Sequence, residues 1–259
     1  MATARRSRGS RLVVDVGNSR IKWGLCDDAA VSAVASLPPY DESAWREQIK
    51  KWRLKTPLSW WICGVHHERR DAFADWLRQR GDAVRLLSAP AELPLQIAVD
   101  HPTKVGIDRL LNAVAVNSRR SLNAAAVIVD AGSAVTVDYV DDSGIFRGGA
   151  ILPGLNMMAE ALHNYTALLP LIRVDDDFSL PATSTATAMK AGIMCAAIGG
   201  IKELIGSMAK QQASPKSLEI YLGGGDAQLL SRQLPAHAQL WPEMTLEGVR
   251  LATDRTESS

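Results

Sequence analysis

The chain has 259 residues, 47% of them hydrophobic, and a formal net charge of +1. That length buries a proper core as one large or two small domains, and near-neutrality argues against the electrostatic footprint of a nucleic-acid binder. Cys26, Cys63 and Cys195 are odd in number and far apart, which suits reduced structural thiols better than a disulfide framework or a zinc knuckle.

Arg5, Arg6, Arg8 and Arg11 form the one basic run, and residues 1–10 read as a disordered leader. Asp15 interrupts the apolar residues behind it, so no signal peptide is expected and a cytoplasmic location is. The next stretch, LVVDVGNSRIKWGL at 12–25, is a β-branched run ending in Asp15 and Gly17, then a resumed apolar alternation. It is written as a strand, a tight turn and a returning strand. A glycine turn of this kind can turn backbone N–H groups of Gly17 toward a phosphate, and Asp15 can face a hydrated cation.

Residues 45–54 carry a helical rhythm, SWWICGV at 59–65 is a buried strand, and 71–80 is a helix closed by Gly81. This alternation is that of an α/β protein. His66 and His67 match no metal signature and are expected to be a polar strand end. After a short strand at 84–87 and a Pro-punctuated loop comes KVGIDRLLNAVAVN at 104–117. Leu110, Leu111 and Val114 share one helix face, which places Asp108 and Arg109 in the first turn, just after Gly106. A carboxylate there can take a proton and a guanidinium can hold an anion.

AVIVDAGSAVTVDYV at 126–140 repeats the first hairpin, with Asp130 and Gly132 in place of Asp15 and Gly17. The two copies lie about one domain's length apart, so two related halves facing a nucleotide cleft are expected, with domains at 11–118 and 119–252. GGAILPG at 148–154 is dense in glycine, as where backbones approach closely. Helices are expected at 155–169 and 185–210; within the second, Lys202 and Glu203 leave 191–206 short of a membrane span. A strand at 218–222 runs into GGGDA at 223–227 and another helix, a natural place for a nucleotide's phosphates or base. Residues after 253 are expected to fray.

No Walker loop, Rossmann fingerprint or protein-kinase catalytic loop is present. What remains is phosphate gripped by two hairpins, as in the actin, hexokinase and Hsp70 superfamily. The motifs DVGNSRIKWG, GIDR, DAGSAVTVD, GGAILPG, STATAMKAG and GGGDA occur in this order, and together they resemble the type III pantothenate kinases over residues 12 to about 249. The resemblance implies a duplicated ribonuclease H-like, actin-like ATPase fold of two α/β domains, and ATP-dependent phosphorylation of pantothenate, the first step of coenzyme A synthesis. It implies that Asp15, Val16, Gly17, Asn18, Ser19, Arg20, Ile21 and Lys22 form the first ATP phosphate loop, with Asp15 near Mg2+, and that Ser133 is a second ATP contact. It implies that Gly106, Ile107, Asp108, Arg109 and Thr185 contact pantothenate, with Asp108 as proton acceptor, and that Asp130 binds a monovalent cation, K+ or NH4+. A homodimer without nucleic-acid or membrane partners is implied as well.

Three departures stand out against the resembled pattern: Ser133 where Thr is usual, Ile107 where Ala is usual, and Val99 where an aromatic Tyr often stands near pantothenate. A phosphohydrolase on the same fold and a non-enzymatic accessory regulator are the alternatives.

Overall fold

The computed structural model describes residues 11–27, 29–210 and 218–256; the expected leader at 1–10 lies outside them. The chain forms two compact units. One comprises residues up to Pro94, Thr103–Ala115 and those from Glu243 onward; the other comprises Leu95–Pro102 and Val116–Pro242.

In the first unit β1 (Arg11–Val16), β2 (Ile21–Cys26) and β3 (Val31–Leu37) make an antiparallel meander, and β4 (Ser59–Cys63) and β5 (Ala83–Leu86) add in parallel on the other side of β1. The order is β3-β2-β1-β4-β5. Between them lie α1 (Glu42–Lys51) and α2 (His67–Gln79). Apolar residues alternate along β1, and one set, Leu12, Val14 and Val16, meets Trp23, Trp60, Phe73 and Leu77 in a fully buried cluster with the two helices. Trp23 and Trp60 pack edge to face with centroids 5.0 Å apart. Each fully buried side chain of this size contributes roughly 1.5–3 kcal/mol.

The opposite face is covered by the C-terminal helix α7 (Met244–Thr256), which packs on β1, β2 and β4. Gly24 leaves room there for Leu246. The start of α3 (Ile107–Arg119) lies close by: a Cβ at Gly248 would fall 2.1 Å from the Leu111 carbonyl oxygen, and the Thr245 hydroxyl donates to Asn112 Oδ1 at 2.8 Å.

The second unit repeats the plan. β6 (Ala125–Ala131), β7 (Ala134–Val140) and β8 (Phe146–Pro153) form an antiparallel meander, β9 (Leu218–Gly223) and β10 (Gln239–Leu240) run parallel beyond β6, and the order is β10-β9-β6-β7-β8. Both sheets therefore share one topology, three antiparallel strands followed by two parallel ones. α4 (Leu155–Asn164), α5 (Thr185–Ala209) and the short α6 (Ala227–Ser231) supply the helices. Ile193, Met194, Ala197 and Ile201 of α5 pack on Val127, Val129 and Val137 of the sheet. By length and composition α5 could cross a membrane, longer than the apolar stretch read from sequence; here it is the core helix of this unit.

Three elements escape the sequence reading, β3, β10 and α7. Several others start or stop elsewhere: α1 spans Glu42–Lys51 rather than 45–54, and β4 ends at Cys63. α2 begins at His67 rather than 71, because the His66 ring accepts from the Arg69 N–H at 3.5 Å and caps the helix. α4 ends at Asn164, five residues before the expected end.

Candidate active site

The first site-bearing turn joins β1 to β2. Asp15 pairs with Lys22 across the strands, and Val16 pairs with Ile21. Val16 and Ile21 are fully buried core residues that anchor the turn. The Gly17 N–H donates to the Arg20 carbonyl at 3.0 Å and closes the turn, leaving Asn18, Ser19 and Arg20 exposed at its tip. The expectation that the Gly17 N–H faces a ligand is therefore corrected: the hydrogen bond that makes the turn tight occupies it.

The same unit brings Asp108 to this end of the sheet. It stands in the first turn of α3, where the helix dipole favours a carboxylate, and its Oδ1 accepts from the Arg109 N–H at 2.9 Å. Gly106 makes this possible, since a Cβ there would lie 2.5 Å from Asp108 Oδ1 and 3.6 Å from Val65, just past the end of β4. Ile107 points inward and is buried. Cys63, the last residue of β4, is in register with Asp15. Its thiol is wholly buried and lies 3.8 Å from Asp15 Oδ1. Burial, and then the charges of Asp15 and Asp108, push this thiol well above its ordinary pKa, so it stays protonated. Asp15, Cys63 and Asp108 thus form one cluster. Among the described residues no group of three or more His, Cys, Asp or Glu is arranged to hold a metal, which leaves His66 as a helix cap.

In the second unit the β6–β7 turn has the same build: the Gly132 N–H donates to the Ala134 carbonyl at 2.9 Å, with Ser133 exposed. Here too the glycine N–H is spent on the turn. Asp130 is paired with Thr136 across the ladder, and Thr136 Oγ1 is buried without a hydrogen-bond partner. Two further glycine turns close on the end of β6. A Cβ at Gly154 would lie 2.4 Å from the Ser133 carbonyl, and one at Gly224 would lie 2.3 Å from that of Ala131. Gly224 also has a φ of +92°, and the Asp226 N–H donates to the Ala131 carbonyl at 2.9 Å.

Beside this convergence is a cavity of about 480 Å³, lined by Asn156, Arg173, Asp175, Asp176, Asp226 and Arg232 among others. Asp175 is bound by Lys190 at 2.8 Å and Asp176 by Arg232. Burial pushes the Asp226 carboxyl above the usual carboxylate range. Sequence reasoning pointed to the glycine turn of this cavity but not to Asn156 or to the charged segment around Arg173, which carry no motif. Thr185 is the exposed first residue of α5, behind the Ser184 cap, and is not one of the cavity's lining residues.

The family model described as type III pantothenate kinase matches residues 11–207. The chain belongs to the type III pantothenate kinase family. It is 31% identical over 243 residues to the type III pantothenate kinase of Methylacidiphilum infernorum, covering 93% of this chain and 86% of that one. To that of Gluconobacter oxydans it is 33% identical over 258 residues, covering 94% and 93%. Among solved structures, a conserved putative Baf family transcriptional activator from Campylobacter jejuni superposes with a TM-score of 0.62 at 19% identity, covering 96% of this chain and all of that one. The fold is that of the actin-like ATPases, and the enzyme is a pantothenate kinase that uses ATP.

Proposed function

We propose that the enzyme transfers the γ-phosphoryl group of ATP to the primary hydroxyl of pantothenate, giving 4′-phosphopantothenate, with Asp108 as proton acceptor. The observation that carries this is the opening Gly106 leaves for the Asp108 carboxylate, at the same end of the sheet as Asp15. The hydroxyl oxygen attacks phosphorus, its proton passes to Asp108, and the bond to the ADP oxygen breaks. Such general-base help is worth roughly a hundred to ten thousand fold in rate.

The exposed tip Asn18, Ser19 and Arg20, with Lys22, is assigned to the ATP phosphates, as is Ser133, while Gly17 closes this turn and the buried Val16 and Ile21 anchor it. The cavity at Gly225 and Asp226 has the volume and the polar lining for the nucleoside. Gly106, Ile107, Arg109 and Thr185 are assigned to pantothenate, Arg109 as the partner of its carboxylate. The oxygen donors suit hard cations: Asp15 for Mg2+, and Asp130 for K+ or NH4+, with the unpartnered Thr136 hydroxyl across the ladder. Mg2+ held beside Asp15 would neutralise charge on the transferred phosphoryl group.

A homodimer fits the surface of the second unit. Leu168 and Tyr165 are about nine-tenths exposed, Leu171 and Leu180 are also exposed, and Gly192, Cys195, Ala196 and Gly199 make an open small-residue face on α5. Apolar exposure on this scale suits an interface. The near-neutral charge favours neither nucleic acid nor an anionic membrane as partner, and a cytoplasmic enzyme of coenzyme A synthesis is the setting proposed.

The test is product formation from ATP and pantothenate with Mg2+, in potassium and then in sodium buffer. Phosphopantothenate in potassium that falls away in sodium supports the kinase and the cation site together. ATP hydrolysis that pantothenate does not couple would favour a phosphohydrolase, and a folded dimer without turnover would favour an accessory regulator.

A further inference from the structure

Cys63 has no place in the reaction just described, yet it stands at its centre. The parallel register of β1 and β4 sets it beside Asp15, and its Sγ lies 3.8 Å from Asp15 Oδ1. The backbone cannot drift there: a Cβ at the next residue, Gly64, would lie 2.5 Å from the Val16 carbonyl oxygen, so the ends of the two strands are held close. The Asp108 carboxylate also acts on the thiol through its charge.

We infer that Cys63 is a positioning residue: its thiol donates a hydrogen bond to Asp15 Oδ1 and fixes that carboxylate's orientation. The inference rests on the reading of Asp15 as a residue serving the Mg2+-bound nucleotide. The S–H is a weak donor, and its 3.8 Å separation from Asp15 Oδ1 is within reach of a sulfur hydrogen bond. A thiolate or a third carboxylate there would add repulsion to a site that already holds two acidic groups. An apolar side chain of the same size would fill the space and leave Asp15 Oδ1 without this donor.

The experiment compares Cys63→Ser, Cys63→Val and Cys63→Ala in the full-length enzyme. The readouts are the Kd for Mg2+-ADP by calorimetry, the Mg2+ concentration for half-maximal activity, kcat, and the melting temperature. Serine keeps a donor, so its Kd is expected within about twofold of wild type. Valine and alanine are expected to weaken Mg2+-ADP binding and raise the Mg2+ requirement alike, by about three- to tenfold, the scale of one lost hydrogen bond. A merely structural role would move the melting temperature and leave these constants alone. Valine binding as wild type does, or serine weakened as far as valine, would overturn the inference. Asp15→Asn separates the two levels: if it leaves Mg2+-ADP affinity unchanged, the reading of Asp15 fails and the inference with it. If Asp15→Asn weakens binding while Cys63→Val does not, only the role of Cys63 fails.

Discussion

Gly106 and Asp108 share one small volume: a Cβ on the glycine would stand 2.5 Å from the aspartate Oδ1. The glycine is therefore kept for the carboxylate's position and not for backbone freedom, and Gly106→Ala must turn the Asp108 side chain away. Turnover is expected to fall by about tenfold or more, since small misplacements of a reacting group have effects of that order, with little change in melting temperature. Steady-state kinetics beside a thermal melt checks this. Full activity in the alanine variant would show that Asp108 works from another rotamer.

Asp108→Asn keeps the shape and removes the base. The side chain sits half-buried at a helix start, where asparagine is well tolerated, so folding is expected to be normal. kcat should drop by roughly a hundred to ten thousand fold, while ATP binding persists in a calorimetric titration. Near-wild-type turnover would remove Asp108 from the role of proton acceptor.

Much of this architecture was legible because the two hairpins are written alike. β1 and β6 are β-branched runs that end in Asp and Gly, and both are buried almost throughout, with Asp15 and Asp130 half-buried near their ends. β3 was not legible: VSAVASL is small-residue sequence on an edge, with no residue fully buried. α7 was hidden for a different reason, because its inward face includes Glu247 and Arg250, paired at 2.7 Å, among Leu246 and Val249. A polar pair bought into the core by tertiary contacts breaks the apolar period that sequence reading relies on. Asp15 and Asp108 could be singled out from their motifs, but Cys63 could not. Cys63 reaches Asp15 through a strand register set 48 positions away, which local pattern does not encode.

Asp130→Ala removes the carboxylate assigned to the monovalent cation. The potassium concentration for half-maximal activity is expected to rise by about tenfold or more, as for loss of a charged ligand, and the preference for potassium over sodium should shrink. Thr136→Val, which removes the unpartnered hydroxyl, should shift the same titration in the same direction by less. A potassium titration unchanged in both variants would sink the cation assignment while leaving the kinase intact.

Gly224 and Gly225 offer a paired test of the turn at the end of β9. Gly224 has a φ of +92°, and a Cβ there would lie 2.3 Å from the Ala131 carbonyl, whereas a Cβ at Gly225 meets nothing within 4 Å. Gly224→Ala should lose about 1–3 kcal/mol of stability from the strained backbone alone, and Gly225→Ala should stay within about 0.5 kcal/mol of wild type. Urea midpoints for the two variants decide it. Equal midpoints would mean that the turn yields easily.

Asp226 gives a pH dependence with a definite sign. Burial raises its carboxyl pKa in the folded chain, so the folded state binds a proton more readily than the unfolded one. Its contribution to stability is then fully present below the unfolded value, about 3.9, and is lost as pH rises through the raised folded value. At neutral pH the wild type carries a half-buried charge that Asp226→Asn does not. The asparagine variant is expected to melt higher at pH 7, with the difference shrinking as pH falls through the raised pKa toward 4. A constant difference across that range would show that burial of the charge is not what separates the two proteins.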